Sequence, residues 1–295
     1  MRAMASVAVV GAGNMGGAML ARLCDLAWTV AVHDTDALAQ AQAVSWGALA
    51  CHSAAHAAQS LSPQGVLLVA VVDAAQTESV LWGLGGAGTH LKAGQSVMLC
   101  PTLGPATVQA QAERLALQGV DCLDAPMSGG PLRARQGRMS LMVACTDAVW
   151  AGHQNLLNAL SDQVFHVGTR VGDGARTKLV NNLLAAVNLA GAAEAMALAE
   201  RLGLDPQATL SVIEASSGQS WIGSDRMRRA LAGELTPQAH VRLLAKDTRL
   251  AVQAADDVAF EPALGRVAQS LFSQALASGW ADLDDSALLQ LMRTR

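Results

Sequence analysis

Three short stretches carry residue types able to do chemistry, and the most unusual is GDGARTKLVNN, residues 172–182. Lys178, Asn181 and Asn182 stand there at the entrance of a segment otherwise built from Ala, Leu and Val. A lysine amine can give a proton to an oxygen or take one from it. An asparagine amide can orient a neighbour without competing for that proton. On a helix, Lys178 and Asn182 share one face a turn apart, while Asn181 points about 100° away, toward packing or an inter-subunit hydrogen bond. A purely structural use stays open: Lys178 can snorkel, and the asparagines can cap nearby backbone.

The second stretch, VAVVGAGNMGGAMLARL, is a β-branched run, then Gly11, Ala12, Gly13, Asn14, Met15 and Gly16, then a helical pattern. Gly11, Gly13 and Gly16 have G-x-G-x-x-G spacing: a tight turn, a close approach for a pyrophosphate, and a close helix–strand contact. The helix N-terminus would hold the phosphates. Bare spacing of this kind is weak; a strand before it and a helix after it make it a dinucleotide site. The next run, TVAVHD, ends in Asp34, at the offset of the acid that hydrogen-bonds the adenosine ribose. That acid repels a 2′-phosphate, and no Arg or Lys follows it in the segment, so NAD is favoured over NADP. Alternatively, Asp34 only caps the following helix.

The third stretch is DAPMSGGPLRARQGRM, residues 124–139. Ser128, Gly129 and Gly130 offer a hydroxyl and adjacent backbone N–H groups, which suit a carboxylate or an alcohol oxygen. Taken alone, such a sequence is more often simply a turn. Arg133, Arg135 and Arg138 read as a solvated face or as a second anchor for a dianionic substrate.

These residues need elements to position them, and the chain has two kinds. From residue 6 to about 167, the runs SVAVV, TVAVH, VLLVAVV, SVMLC, DCLDA, SLMVA and VFHV alternate with Ala-rich helical segments. That alternation predicts a doubly wound parallel sheet of the Rossmann type, with both faces covered. After Gly174 the β-runs stop, and RLGLDP ends one helix at Gly203 and starts another after Asp205 and Pro206. The expected division is a dinucleotide-binding domain over 1–168 and an all-α domain over 169–295. A helix from about 174 to 202 would run about 40 Å. So apolar a rod needs packing on several sides, which implies a homodimer or homotetramer through the helical domain.

Composition narrows the function classes. A net charge of −4, with RMRR at 226–229 as the main cluster of positive residues, offers nucleic acid no broad basic face. Arg226, Arg228 and Arg229 read as a solvated helix face. Cys24, Cys51, Cys100, Cys122 and Cys145 form no C-x-x-C pair, so reduced thiols and a cytoplasmic protein are expected. Arg2 before VAVV is no targeting segment, because Gly11 interrupts the run. The uncharged stretch Leu179 to Ala193 is shorter than the ~20 residues that span a bilayer, so no membrane helix is expected. His52 and His56 beside Cys51 lack further ligands, and no metal site is expected. Asp282, Asp284 and Asp285 lack the Gly and Glu of a calcium loop.

Taken in order, the three stretches and the Lys246–Asp247 pair resemble the β-hydroxyacid dehydrogenase family, over nearly the whole chain. The resemblance implies hydride transfer between NAD and a small 3-hydroxy acid or sugar acid, with Lys178 as general acid/base. Burial and polar neighbours would bring such a lysine toward its working pH. The resemblance further implies that Ser128, Gly129 and Gly130 bind the substrate carboxylate, and that Asn182 binds the substrate or orients the lysine. Thr102 and Lys246 would line the nicotinamide side, and Val71 and Val72 the adenosine side. Relatives usually have a Ser before that threonine; Pro101 in LCPT removes a hydroxyl and an N–H there. SSGQSWIGSDRM, with Trp221 either over the substrate pocket or in the core, and DLDDSALLQLM are similar to the threonate dehydrogenase branch. The 6-phosphogluconate dehydrogenases differ at Asn181–Asn182, and imine reductases lack the lysine. The rival reading is a non-catalytic NAD-binding scaffold or redox sensor, which would have no need to keep Lys178.

Overall fold

The computed structural model describes residues 6–234 and 236–294, so Arg2 lies outside the described residues. By contacts the chain forms two compact units, Met1–Lys178 and Leu179–Arg295, so the division falls inside a helix.

The first unit is built on nine strands: β1 (Val7–Val10), β2 (Val30–His33), β3 (Leu49–Ala50), β4 (Val66–Val69), β5 (Ser96–Leu99), β6 (Asp121–Asp124), β7 (Met127–Ser128), β8 (Ser140–Ala144) and β9 (Gln163–Gly168). Between them lie α1 (Asn14–Asp25), α2 (Ala37–Ser45), α3 (Ala54–Gln59), α4 (Ala74–Trp82), α5 (Pro105–Ala116), α6 (Gly130–Gln136) and α7 (Asp147–Leu160). The strand order is β3-β2-β1-β4-β5-β6-β8-β7, with β9 against β8. The first six strands in that order are parallel, and the order reverses between β1 and β4, where doubly wound sheets take their ligands.

The doubly wound parallel sheet is present as expected, and one edge of it departs from the parallel direction. β8 runs antiparallel to β6 and β7, and β9 is parallel to β8. The reason is local: the β6–β8 connection is the tight Ser128–Gly130 turn and the short α6, which return the chain in the opposite direction. β3 and β7 have two residues each and gave no periodic signal.

Burial on both faces explains the apolar strands. Val7, Val9, Val66, Leu68 and Met98 point into a core with Met19, Leu20 and Leu23 of α1. Their neighbours Ala8, Val10, Leu67, Val69, Val97 and Leu99 point into a second core with Leu81 and Leu115. The period of two between opposite cores follows from the pleat.

Helix starts in this unit fall into two groups. Asp36, Ser53, Asp73 and Thr146 cap α2, α3, α4 and α7 with their own side chains. By contrast, α1, α5 and α6 begin at Gly13, Gly104 and Gly129 with no side-chain cap. Their first N–H groups therefore have no side-chain acceptor at the sheet ends where ligands bind.

The second unit is helical: the main length of α8 (Asp173–Arg201), then α9 (Pro206–Glu214), α10 (Trp221–Ala232), α11 (Val241–Asp256), α12 (Ala263–Ala277) and α13 (Leu288–Arg293). Leu189, Ala193 and Met196 of α8 pack with Phe272 and Leu271 of α12. Asp205 caps α9 through the Ala208 N–H at 2.6 Å, with Pro206 next, as the RLGLDP signal implies.

The helix α8 extends beyond the uncharged stretch Leu179 to Ala193 at both ends. With 29 residues and a mean hydropathy of 1.4 in its most apolar window, it is long and apolar enough to cross a membrane by length and composition. Within the protein, 44% of that window is buried, and the buried residues of α8 include Lys178 and Asn182.

Candidate active site

The glycine loop can be read position by position. Gly11 has φ +95°, and a Cβ there would lie 2.7 Å from the Ala70 carbonyl oxygen, beside Val71. At Gly16 a Cβ would fall 1.9 Å from the Gly11 oxygen, so α1 can begin this close to β1 only with glycine. Gly13 has no atom within 4 Å of a Cβ, and both it and Asn14 are exposed. A crowded frame around one open position and an uncapped helix start is a cradle that fits a dinucleotide pyrophosphate. Asn14 and Met15 form the first turn of α1. Val72, on the adenosine side of the expected site, is exposed and gives its N–H to Gln76 at 2.9 Å.

Asp34 follows β2 and binds this loop. Its Oδ2 accepts the Ala12 N–H at 2.5 Å, and its Oδ1 accepts the Asp36 N–H at 2.8 Å. The helix cap is Asp36, which accepts from Leu38, so capping does not explain Asp34. Thr102 lies in the loop after β5, preceded by the buried Pro101.

Ser128 closes β7 against Ser140, and Gly129 and Gly130 follow at φ +128° and +75°, backbone that side chains rarely adopt. Upstream in the same segment is a carboxylate absent from the sequence-based site, Asp124 at the end of β6. Its Oδ2 accepts the N–H of Gly172 at 2.8 Å and of Ala175 at 2.9 Å, at the start of α8. Gly174 has to be glycine: a Cβ there would lie 2.7 Å from the carbonyl oxygens of both Asp124 and Met142. The GDG of the opening stretch thus seats the helix that carries Lys178. Burial pushes the Asp124 carboxyl up to about 6, against the N–H donors of Ala175, Gly172 and Gly174, and with help from Asp173. A charged residue in a strand covered on both faces was the available signal, because such a group needs donors.

Lys178 and Asn182 are each 7% exposed and stand one turn apart on α8. In the second unit, Asn182 Nδ2 donates to Asp247 Oδ2 at 2.6 Å, and Asn181 Nδ2 donates to Asn182 Oδ1 at 3.0 Å. Asn181 is therefore a buttress for Asn182 rather than a side chain aimed elsewhere. Asp247 is buried on α11; its Oδ1 lies 3.1 Å from Lys246 Nζ and takes no hydrogen bond among the described residues. These contacts orient the Asn182 amide and place an ammonium, Lys246, beside it.

Other sequence candidates lie elsewhere. Arg226 and Arg229 are not solvated: both are buried, with Arg226 Nε 2.6 Å from Asp285 and Arg229 forked onto Asp284 at 2.9 Å. Their partners stand more than fifty residues along the chain, beyond local pattern. Arg228 is exposed and binds Glu214, as a surface arginine does. Burial opposes ionisation of Asp284, yet Arg229 and the N–H donors of Ser286 and Gln238 hold its carboxyl well below the usual range. Arg135 pairs with Asp25 at 2.8 Å, and Arg133 donates to the Arg138 carbonyl, so these two serve α6 and its surroundings. Trp221 is 51% exposed at the start of α10, outside the core, with the Arg226 guanidinium 5.9 Å from its ring. The His52 and His56 rings lie 4.2 Å apart, and among the described residues no group of three metal-ligating side chains forms.

Comparison with known proteins gives consistent matches across the chain. Residues 6–168 match the family described as the NAD binding domain of 6-phosphogluconate dehydrogenase. Residues 172–292 match that described as the NAD-binding of NADP-dependent 3-hydroxyisobutyrate dehydrogenase. L-threonate dehydrogenase of Cupriavidus necator is 34% identical over 286 residues, 97% of this chain and 95% of that protein. 3-Hydroxyisobutyrate dehydrogenase of Pseudomonas aeruginosa is 33% identical over 281 residues, 92% of each. The crystal structure of a 3-hydroxyisobutyrate dehydrogenase from Salmonella typhimurium superimposes with a TM-score of 0.89 at 33% identity, over 97% of this chain and 99% of that one.

Proposed function

This chain belongs to the β-hydroxyacid dehydrogenase family and is an NAD(P)-dependent hydroxyacid dehydrogenase acting on CH–OH donors, and from that premise we propose a division of labour among its residues. The substrate is a small 3-hydroxy acid or sugar acid, of which threonate is the leading candidate from the relatives' names and 3-hydroxyisobutyrate the next. The observation that carries the reading is a buried lysine one helical turn from a buried, doubly hydrogen-bonded asparagine.

Ser128, Gly129 and Gly130 hold the substrate carboxylate through a hydroxyl and turn N–H groups. Lys178 takes the proton from the carbinol oxygen in oxidation and returns it in reduction. Asn182, fixed by Asn181 and Asp247, hydrogen-bonds the substrate without exchanging a proton. The glycine loop and Asp34 hold the pyrophosphate and ribose, and Val71, Val72, Thr102 and Lys246 line the remainder of the cofactor's path. When bound, the nicotinamide supplies the hydride acceptor. The Asp34 carboxylate disfavours a 2′-phosphate, so NAD is the preferred cofactor.

Exposed Val180, Leu184 and Leu198 on α8 support a homodimer or homotetramer through the helical unit, and free cysteines suit the cytoplasm. A panel of threonate, erythronate, glycerate and 3-hydroxyisobutyrate, each with NAD and with NADP, tests the proposal. Reduction of NAD by at least one acid, with a lower kcat/KM for NADP, is expected. Cofactor binding without turnover of any acid would sink the substrate class.

A further inference from the structure

Asp124 is a carboxylate where the sheet offers no water. It is 1% exposed, yet it accepts the N–H groups of Gly172 and Ala175 at the entrance of α8. A helix start has donors without intrahelical acceptors, and here another element supplies the acceptor. The Asp124 backbone leads directly into the substrate turn, anchored on the way by Ala125 N–H to the Leu99 carbonyl at 2.8 Å and Met142 N–H to the Pro126 carbonyl at 3.0 Å. Lys178 lies on the second turn of the helix so capped.

We propose that Asp124 is a positioning residue for Lys178: its carboxyl, held by the N–H groups of Gly172 and Ala175, pins the first turn of α8 to the strand that runs into Ser128–Gly130, and ionisation of that buried group loosens the pin. The proposal rests on the reading of Lys178 as the proton-exchanging group. The helix dipole and the N–H donors favour the anion, but burial outweighs them, so the docked helix start holds the neutral carboxyl better than the charged one. The charge that acts on it is Asp173, from α8, and Asp124 in turn bears on three thiols, the first being Cys122 of its own strand. Cys100 follows β5 and Cys145 follows β8. Burial raises these cysteines, so they stay neutral thiols over the range where Asp124, at about 6, changes charge.

The test follows amide hydrogen exchange of residues 170–180 in the intact protein, corrected for intrinsic rates, beside the pH profiles of kcat and KM. As pH rises from about 5 to 7.5 the wild-type segment should lose roughly tenfold in protection, with a step in kcat over the same range and KM for NAD unchanged. Asp124→Asn keeps an acceptor oxygen but cannot ionise. Its protection should be independent of pH over that range, and its kcat profile should lack the step that follows Asp124. Wild-type protection that does not change with pH overturns the proposal, as does an Asp124→Asn profile that superimposes on the wild type. If the variant does not fold, the wild-type exchange series decides alone. The exchange signature without turnover of any hydroxy acid would support the pin while rejecting the functional reading beneath it.

Discussion

Lys178 occupies a place in α8 that an aliphatic residue would fill at lower cost, since a buried amine has to find partners. Lys178→Ala should therefore leave the fold intact, lower kcat by roughly 10²–10⁴-fold, and leave NAD binding, read by fluorescence titration, nearly unchanged. Loss of cofactor binding with kcat retained would assign this lysine to the cofactor. Lys178 and Asn182 were legible in the sequence because polar residues at helical spacing stand out against Ala and Leu. Asp124 was not, since a single acid in DCLDAP looks like any strand end, and the donors that explain it are forty-eight and fifty-one residues downstream. The Asp247 partner of Asn182 was hidden for the same reason, sixty-five residues away.

At the scale of elements, strands covered on both faces announce themselves as apolar runs, so seven of the strands could be placed from sequence. Their direction could not, because SLMVA reads the same with or against its neighbour. The start of α8 makes the sharpest demand. A methyl at Gly174 would meet two backbone oxygens, each 2.7 Å away, and neither can move as a flexible side chain would. Gly174→Ala should cost about 1–3 kcal/mol in thermal unfolding and lower kcat by displacing Lys178. Gly152, inside α7 with nothing within 4 Å of a Cβ, is the matched control. Gly152→Ala should be neutral or stabilise by about 0.5–1 kcal/mol.

Across the whole molecule, two buried acids tilt stability in opposite directions. Asp124 is raised above its unfolded value, so its contribution is full below about pH 4 and is lost as pH rises through about 6. Asp284 is depressed, so its contribution is present at neutral pH and is lost as pH falls below the ordinary carboxylate range. Asp284→Asn strands the buried Arg229 and should cost about 3–5 kcal/mol in urea unfolding near neutral pH. That loss should shrink in acid; a loss that does not depend on pH would mean Asp284 acts by shape alone.

The joint between Asp124 and the Gly172–Asp173–Gly174 turn also bears on how this chain can drift. Acceptor, donors and the space between them depend on one another, so the first substitution at any of the three contact positions removes much of the reason for the other two. In descendants of this protein, Asp124, Gly172 and Gly174 should be inherited together or lost together. A lineage in which the acid has disappeared while both glycines persist is one in which to look for a new anchor beneath the lysine helix.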